Sequence, residues 1–217
     1  MKFLICFVLG FLSLTPDISM ALKESGSRKS EMLLSDISMA LKESGSWKSE
    51  IYYDPRSDEA NGPTFRISDV ELLGITLNEE LMDLMGLNEK ILRIYAYRED
   101  IIASEEFAKA GIYHMFVVLQ TKDWWWSVEK GREGITIQRS EFREYVRDHY
   151  RGKRRPHYEF LLKDSTRYKI QDLFEWLYDE DELSKEFSLM TENCQHFAKR
   201  IFFHFAADIF ATAAAFF

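Results

Sequence analysis

Apolar positions near the end of the chain fall into a helical rhythm. Cys194, Phe197, Ala198, Ile201 and Phe205 recur at i, i+3, i+4, i+7 and i+11, one stripe down the face of a helix. Thr191 or Asn193 can cap its start. Ile170, Leu173, Phe174 and Leu177 mark a second amphipathic helix. Upstream the rhythm changes. Ile112–Gln120 is rich in β-branched and aromatic residues, Trp124–Lys130 follows after Thr121-Lys122-Asp123, and Ile135–Arg139 follows after Gly131-Arg132-Glu133-Gly134. Three such runs joined by short turns predict an antiparallel meander. Ile91–Tyr97 and Tyr158–Leu162 also have strand composition. Asn78 predicts a short helix through Leu81, Leu84 and Met85, closed by Gly86, and Ser104–Ala110 a helical turn ended by Gly111. Ile67–Leu73 is a short element of either type. The expected class is α+β, a β-meander packed against helices.

The first 64 residues obey a different pattern. Met1–Leu14 carries one basic residue and then a short apolar run, and Ser19-Met20-Ala21 is a small-x-small cleavage site. Residues 1–21 therefore have the form of a secretory signal peptide, which implies secretion or the endomembrane lumen. Asp17–Glu31 recurs as Asp36–Glu50, with Trp47 in place of Arg28 as the sole change. Two copies are too few for a solenoid, so residues 22–64 read as a duplicated Ser-, Lys- and Glu-rich flexible lead-in. A folded domain over residues 65–205 and an apolar tail over 206–217 complete the expected organisation. The apolar stretch from Ile201 to Phe217 would reach ~26 Å as a helix. It suits a buried helix, an interfacial anchor or a weak membrane span, and Asp208 favours burial in protein.

Charge narrows the partners. A formal net charge of −8 argues against general nucleic-acid binding. The one basic concentration, residues 143–155, holds Arg143, Arg147, Arg151, Lys153, Arg154 and Arg155. It reads as a solvated face, with contact to a membrane surface or anionic substrate as the alternative. No cluster of Cys, His and carboxylates has metal-ligand spacing and no glycine-rich phosphate loop follows a strand, so no cofactor is expected.

Cys194 carries the candidate chemistry. In the first turn of a helix, the macrodipole and unpaired N–H groups favour a thiolate. The alternative is a buried structural cysteine. A nucleophile needs a base, and His196, about 200° around the helix, leaves the opposite face. His114, a polar residue early in an apolar strand, is the better partner.

This order, a strand histidine, a meander and then Asn193-Cys194-Gln195-His196-Phe197-Ala198, resembles the circularly permuted branch of the NlpC-type papain-like fold. It is most similar to the lecithin–retinol acyltransferase-like proteins, over roughly residues 108–205. The resemblance implies a permuted papain-like fold with Cys194 as acyl-accepting nucleophile and His114 as general base. The family usually places a third polar residue, often His, on the next strand; here Glu129 or Gln138 could substitute. Backbone N–H groups around Asn193 and Gln195 would stabilise an oxyanion. Trp124, Trp125 and Trp126 could line a groove for an acyl-lipid or peptide substrate, reached at a membrane surface through the apolar tail and basic loop. A thiol isopeptidase of the PPPDE type follows the same logic, as does a catalytically inactive binding module.

Overall fold

Continuous burial along Trp125–Gly131 and Gly134–Ser140 decides where the sheet sits, because both strands are covered on both faces. The computed structural model describes residues 47–100, 113–155, 157–188 and 192–208. The compact unit formed by Ser46–Glu99 with His114–Phe217 holds the sheet. The expected signal peptide, the first repeat copy, the helical turn expected at 104–110 and the tail beyond Asp208 fall outside the described residues.

The architecture is α+β. Strands β1 (Glu50–Asp54), β2 (Phe65–Ser68), β3 (Arg93–Asp100), β4 (Tyr113–Gln120), β5 (Trp125–Gly131), β6 (Gly134–Ser140) and β9 (Tyr158–Ser165) form a seven-stranded, mostly antiparallel sheet. Its order is β2-β1-β6-β5-β4-β3-β9. A separate hairpin pairs β7 (His149–Tyr150) with β8 (Lys153–Arg154). Helices α1 (Asp69–Thr76), α2 (Glu79–Leu84), α3 (Arg143–Arg147), α4 (Ile170–Asp179) and α5 (Cys194–Phe205) complete the described elements. The meander β4-β5-β6 is antiparallel throughout, in register Val117↔Val128 and Val128↔Ile137.

Period two divides the sheet into two faces. Met115, Val117, Leu119, Trp126, Val128, Ile135 and Ile137 look one way, where Trp126 stacks on Tyr53 and Tyr53 meets Phe174 of α4 edge-on. On the other face Tyr95, Tyr97, Phe116 and Val118 pack with Val146 of α3. The predicted stripe of α4 is buried at Ile170, Leu173, Phe174 and Leu177.

Two expectations change. The lead-in was to run to residue 64, yet β1 begins at Glu50 and pairs in parallel with β6, so the sheet starts inside the second repeat copy. Trp47, the single residue by which that copy differs, ties it down: Nε1 donates to Leu183 O at 2.8 Å and the ring lies 4.8 Å from Lys130 Nζ. Replacing it by the first copy's residue, Trp47→Arg, is expected to cost about 2 kcal/mol, through lost ring packing and a second cation beside Lys130. Urea unfolding checks this, and an unchanged midpoint would show that the copy is loosely held. The apolar stretch from Ile201, read as a buried helix, an interfacial anchor or a weak membrane span, is helical to Phe205 among the described residues, where Ala206 turns extended (φ −67°, ψ 138°) and Ala207 N–H donates to Ser165 O. Among the described residues no helix is long and apolar enough to cross a membrane. The basic stretch 143–155 is not uniformly solvated: Arg143 packs over Tyr95 and Trp125, Arg151 bonds Thr136, and Arg155 is buried.

Candidate active site

Helix α5 starts where it does because Asn193 caps it. The Asn193 backbone is extended (φ −115°, ψ −177°), and its Oδ1 accepts from Gln195 N–H at 2.9 Å and His196 N–H at 3.1 Å. Behind the cap the buried face consists of Cys194, Phe197, Ala198, Ile201, Phe202 and Phe205, the predicted stripe widened by one residue. His196 is exposed on the far side. Cys194 itself is buried.

The segment leading into the cap is locked by buried charge. Lys130 Nζ, with no exposed side-chain surface, reaches Glu192 Oε1 at 3.0 Å and donates to Lys185 O. Arg200, one and a half turns into α5, grips both Glu182 and Glu192 through two nitrogens each. Burial pulls Lys130 below its ordinary value, against the pull of Glu192. The acidic turn at 179–182 is thus partly an internal counter-ion.

His114 comes from the opposite face. Val118 lies across from Ser127, so alternation puts Phe116 and His114 on the same side as Glu129. His114 Nε2 stands 2.7 Å from Glu129 Oε2. That leaves the other ring nitrogen for the Cys194 sulfur, with which the imidazole shares a hydrogen bond. Two backbone N–H groups, of Met115 and Gln195, also donate to the sulfur. Glu129 in turn accepts from Arg155, which bridges to Glu99. His114 keeps 20% of its side-chain surface exposed and Glu129 keeps 1%, so the imidazole is reachable from outside and its carboxylate partner is not.

Charge follows this wiring. Burial pushes the Cys194 thiol up, but the charge and hydrogen bond of His114 and the two N–H groups hold it below its ordinary value. Burial pulls His114 down, yet the sulfur's charge and bond, then Glu129, raise it to about 10. Burial raises the Glu129 carboxyl, and Arg155 with His114 holds it below the usual range. Each shift favours alternating sign along the series: thiolate, imidazolium, carboxylate, guanidinium.

Of the sequence-predicted residues, Cys194, His114 and Glu129 meet. Gln138 does not join them; it pairs across from Ser127, and its Oε1 accepts the Arg151 N–H at 3.1 Å. The first-turn N–H groups of Gln195 and His196 donate to Asn193 Oδ1, and that of Gln195 also faces the sulfur. The three tryptophans lie elsewhere. Trp126 pairs with Leu119, five residues along β4 from His114 or roughly 16 Å, and Trp124 stacks on Arg139. A cavity of about 600 Å³ lined by Tyr53, Phe65, Ile67, Ile75, Met85 and Arg139 includes none of the site residues. Arg155 was missed. Its signal was Glu129 itself, an acid in the run Trp125-Trp126-Ser127-Val128-Glu129, where a buried carboxylate demands a cation.

Set against known proteins, the chain matches no family model, no curated protein and no solved structure. The site's own geometry is what bears on function.

Proposed function

We propose that this chain is a cysteine-dependent acyl hydrolase or acyltransferase of the permuted papain-like type, resembling in its motif the lecithin–retinol acyltransferase-like branch. The observation that carries the reading is the linked series Cys194–His114–Glu129, a thiol at a capped helix start bonded to an imidazole whose far nitrogen meets a buried carboxylate. That is the nucleophile, base and orienting group of a thiol acyl-transfer site. Glu129 beside His114 supplies the third polar group that the strand lacks as a histidine, which favours an enzyme over an inactive module of the same fold.

In this mechanism the Cys194 thiolate attacks the carbonyl carbon of an ester or amide, and the carbonyl π electrons move onto oxygen. Collapse of the tetrahedral intermediate breaks the bond to the leaving group, which takes its proton from the His114 imidazolium. The product is a Cys194 thioester. Neutral His114 then removes a proton from water, giving hydrolysis, or from an acceptor amine or alcohol, giving transfer, and the thiolate is expelled. Glu129 stabilises the imidazolium at each stage. The substrate class is an acyl-lipid or a peptide. Action in a secreted or endomembrane-lumenal setting is part of the same proposal, with surface contact through the exposed Lys153 and Arg154 and the apolar tail.

The test is a panel of 4-nitrophenyl acyl esters and peptide esters, read by intact mass. Wild type is expected to gain the acyl mass at Cys194 as a hydroxylamine-labile thioester. Cys194→Ala should gain none and turn over at least roughly 10³-fold more slowly. A panel-wide absence of acylation, with Cys194→Ala indistinguishable from wild type, would hand the site to the binding-module reading.

A further inference from the structure

Arg155 leaves the β7–β8 hairpin and turns inward. Its backbone N–H donates to Asp148 O at 2.7 Å, closing the hairpin at its base. Its guanidinium lies 4.0 Å from the Phe116 ring and 5.5 Å from that of Tyr150, with 1% of the side chain exposed. One terminal nitrogen donates to Glu129 Oε1 and the other to Glu99. The second oxygen of Glu129, Oε2, is the one that His114 holds. The carboxylate is therefore shared out, one oxygen to the imidazole and one to the guanidinium. A planar fork can hold two carboxylates in fixed directions; an ammonium cannot.

We propose that Arg155 is a positioning residue of the Cys194 site, keeping Glu129 ionised and aimed at His114 and so setting how much of Cys194 stands as thiolate. The proposal rests on the reading of Cys194 and His114 as a working pair. The groups facing the guanidinium are Glu99 from β3, Phe116 from β4, Glu129 from β5 and Tyr150 from β7, with His114 and Cys194 beyond Glu129. Without Arg155, the desolvation of Glu129 is offset by His114 alone, and the carboxyl takes up a proton more readily. The imidazolium then loses its counter-charge, and its proton returns to the sulfur. Reactivity toward an electrophile at neutral pH falls, while the packing of the catalytic strand and helix stays as it was. The basic hairpin thereby acquires a task that solvated charge would not have: it carries one cation into the sheet behind the site.

The experiment is the pH profile of iodoacetamide alkylation at Cys194 in the full chain, for wild type, Arg155→Lys, the charge-matched double variant Arg155→Met/Glu99→Gln, and His114→Ala. Circular dichroism and thermal melts report folding alongside. The double variant removes one charge of each sign, so that Glu129 is the one carboxylate relieved of its cation. It is expected to alkylate roughly tenfold more slowly at pH 7, with its inflection displaced to higher pH. Arg155→Lys keeps the charge and gives up the fork, and its rate should fall by about threefold. A wild-type profile in Arg155→Lys overturns the positioning role, whether or not the double variant folds. So does a folded double variant with an unshifted profile. The two readings separate through His114→Ala: if it leaves the wild-type profile unchanged, the Cys194–His114 pair itself fails. If it shifts the profile and the Arg155 variants do not, Arg155 alone is wrong.

Discussion

Wild-type Cys194 is expected to alkylate as an anion, with its inflection on the acid side of the roughly 8.5 of an ordinary cysteine, and His114→Ala to lower the rate at pH 7 by at least roughly tenfold. The size follows from what surrounds the sulfur. Burial alone pushes a thiol up, as an apolar environment disfavours the anion. In this protein that cost is outweighed first by the His114 charge and hydrogen bond, then by the N–H groups of Met115 and Gln195. Remove the imidazole and the two N–H groups stand alone against burial. The inflection then moves up past its starting point, and at pH 7 the thiol form dominates. Iodoacetamide suits the measurement because it is small and Cys194 is only 6% exposed. An alkylation profile of ordinary cysteine shape in wild type, unmoved by His114→Ala, would sink the pair.

The same wiring sets the pH window that turnover should show under the proposed function. The rising limb belongs to Cys194, whose folded value lies below its ordinary one, so the thiolate is lost as pH falls through that value. The falling limb belongs to His114, raised to about 10, because the leaving group needs the imidazolium proton. Stability obeys the matching signs. The contribution of His114 is full below its ordinary value of 6.5 and is lost as pH rises through about 10. Glu129, held low, contributes above the ordinary carboxylate range and loses that contribution as the solution is acidified. Since Cys194 and His114 interact directly, the two limbs are properties of the pair.

Periodicity made part of this legible. The meander, α4 and the buried stripe of α5 are local patterns of period two or 3.6, and the structure has them where spacing puts them. Cys194 and His114 could be named because each broke its local pattern, a thiol at a cap and a polar group in an apolar strand. The choice between Glu129 and Gln138 could not be made, since both share a face and register is a long-range property. Strand β1 was hidden for a related reason. Ile51-Tyr52-Tyr53 is short, follows a polar repeat, and gains its place from parallel pairing with β6, more than eighty residues downstream. Arg155 and Lys130 were hidden by habit: a basic side chain in a charged stretch reads as solvated unless an acid inside the sheet asks for it.

The largest stability effect should come from Glu182→Ala, expected to cost about 3–5 kcal/mol. Glu182 has no exposed side-chain surface, nor has Lys130, 3.9 Å away. Glu182 also accepts from Arg200 at 2.9 and 2.7 Å and from Lys185 at 3.0 Å. Among the described residues, deleting this carboxylate leaves Glu192 as the one counter-ion for Lys130 and Arg200, with Lys130 still fully desolvated. Two cations left to share the single carboxylate of Glu192 are the costly arrangement, more than the lost bonds themselves. At ~2–4 °C per kcal/mol for a domain of this size, the melt should fall by roughly 10 °C. The double variant Lys130→Met/Glu182→Leu tests the cause. It removes the buried pair together and leaves the Arg200–Glu192 fork, at 2.9 and 2.6 Å, to hold the residues before the Asn193 cap. Its stability should return close to wild type, because apolar side chains of similar size replace a buried ion pair at little cost. Cys194 alkylation should return with it, since the fork and the cap are intact. A double variant as unstable as Glu182→Ala would mean that Glu182 acts through its grip on Arg200 rather than by neutralising Lys130, and Arg200→Met should then be the more damaging single change.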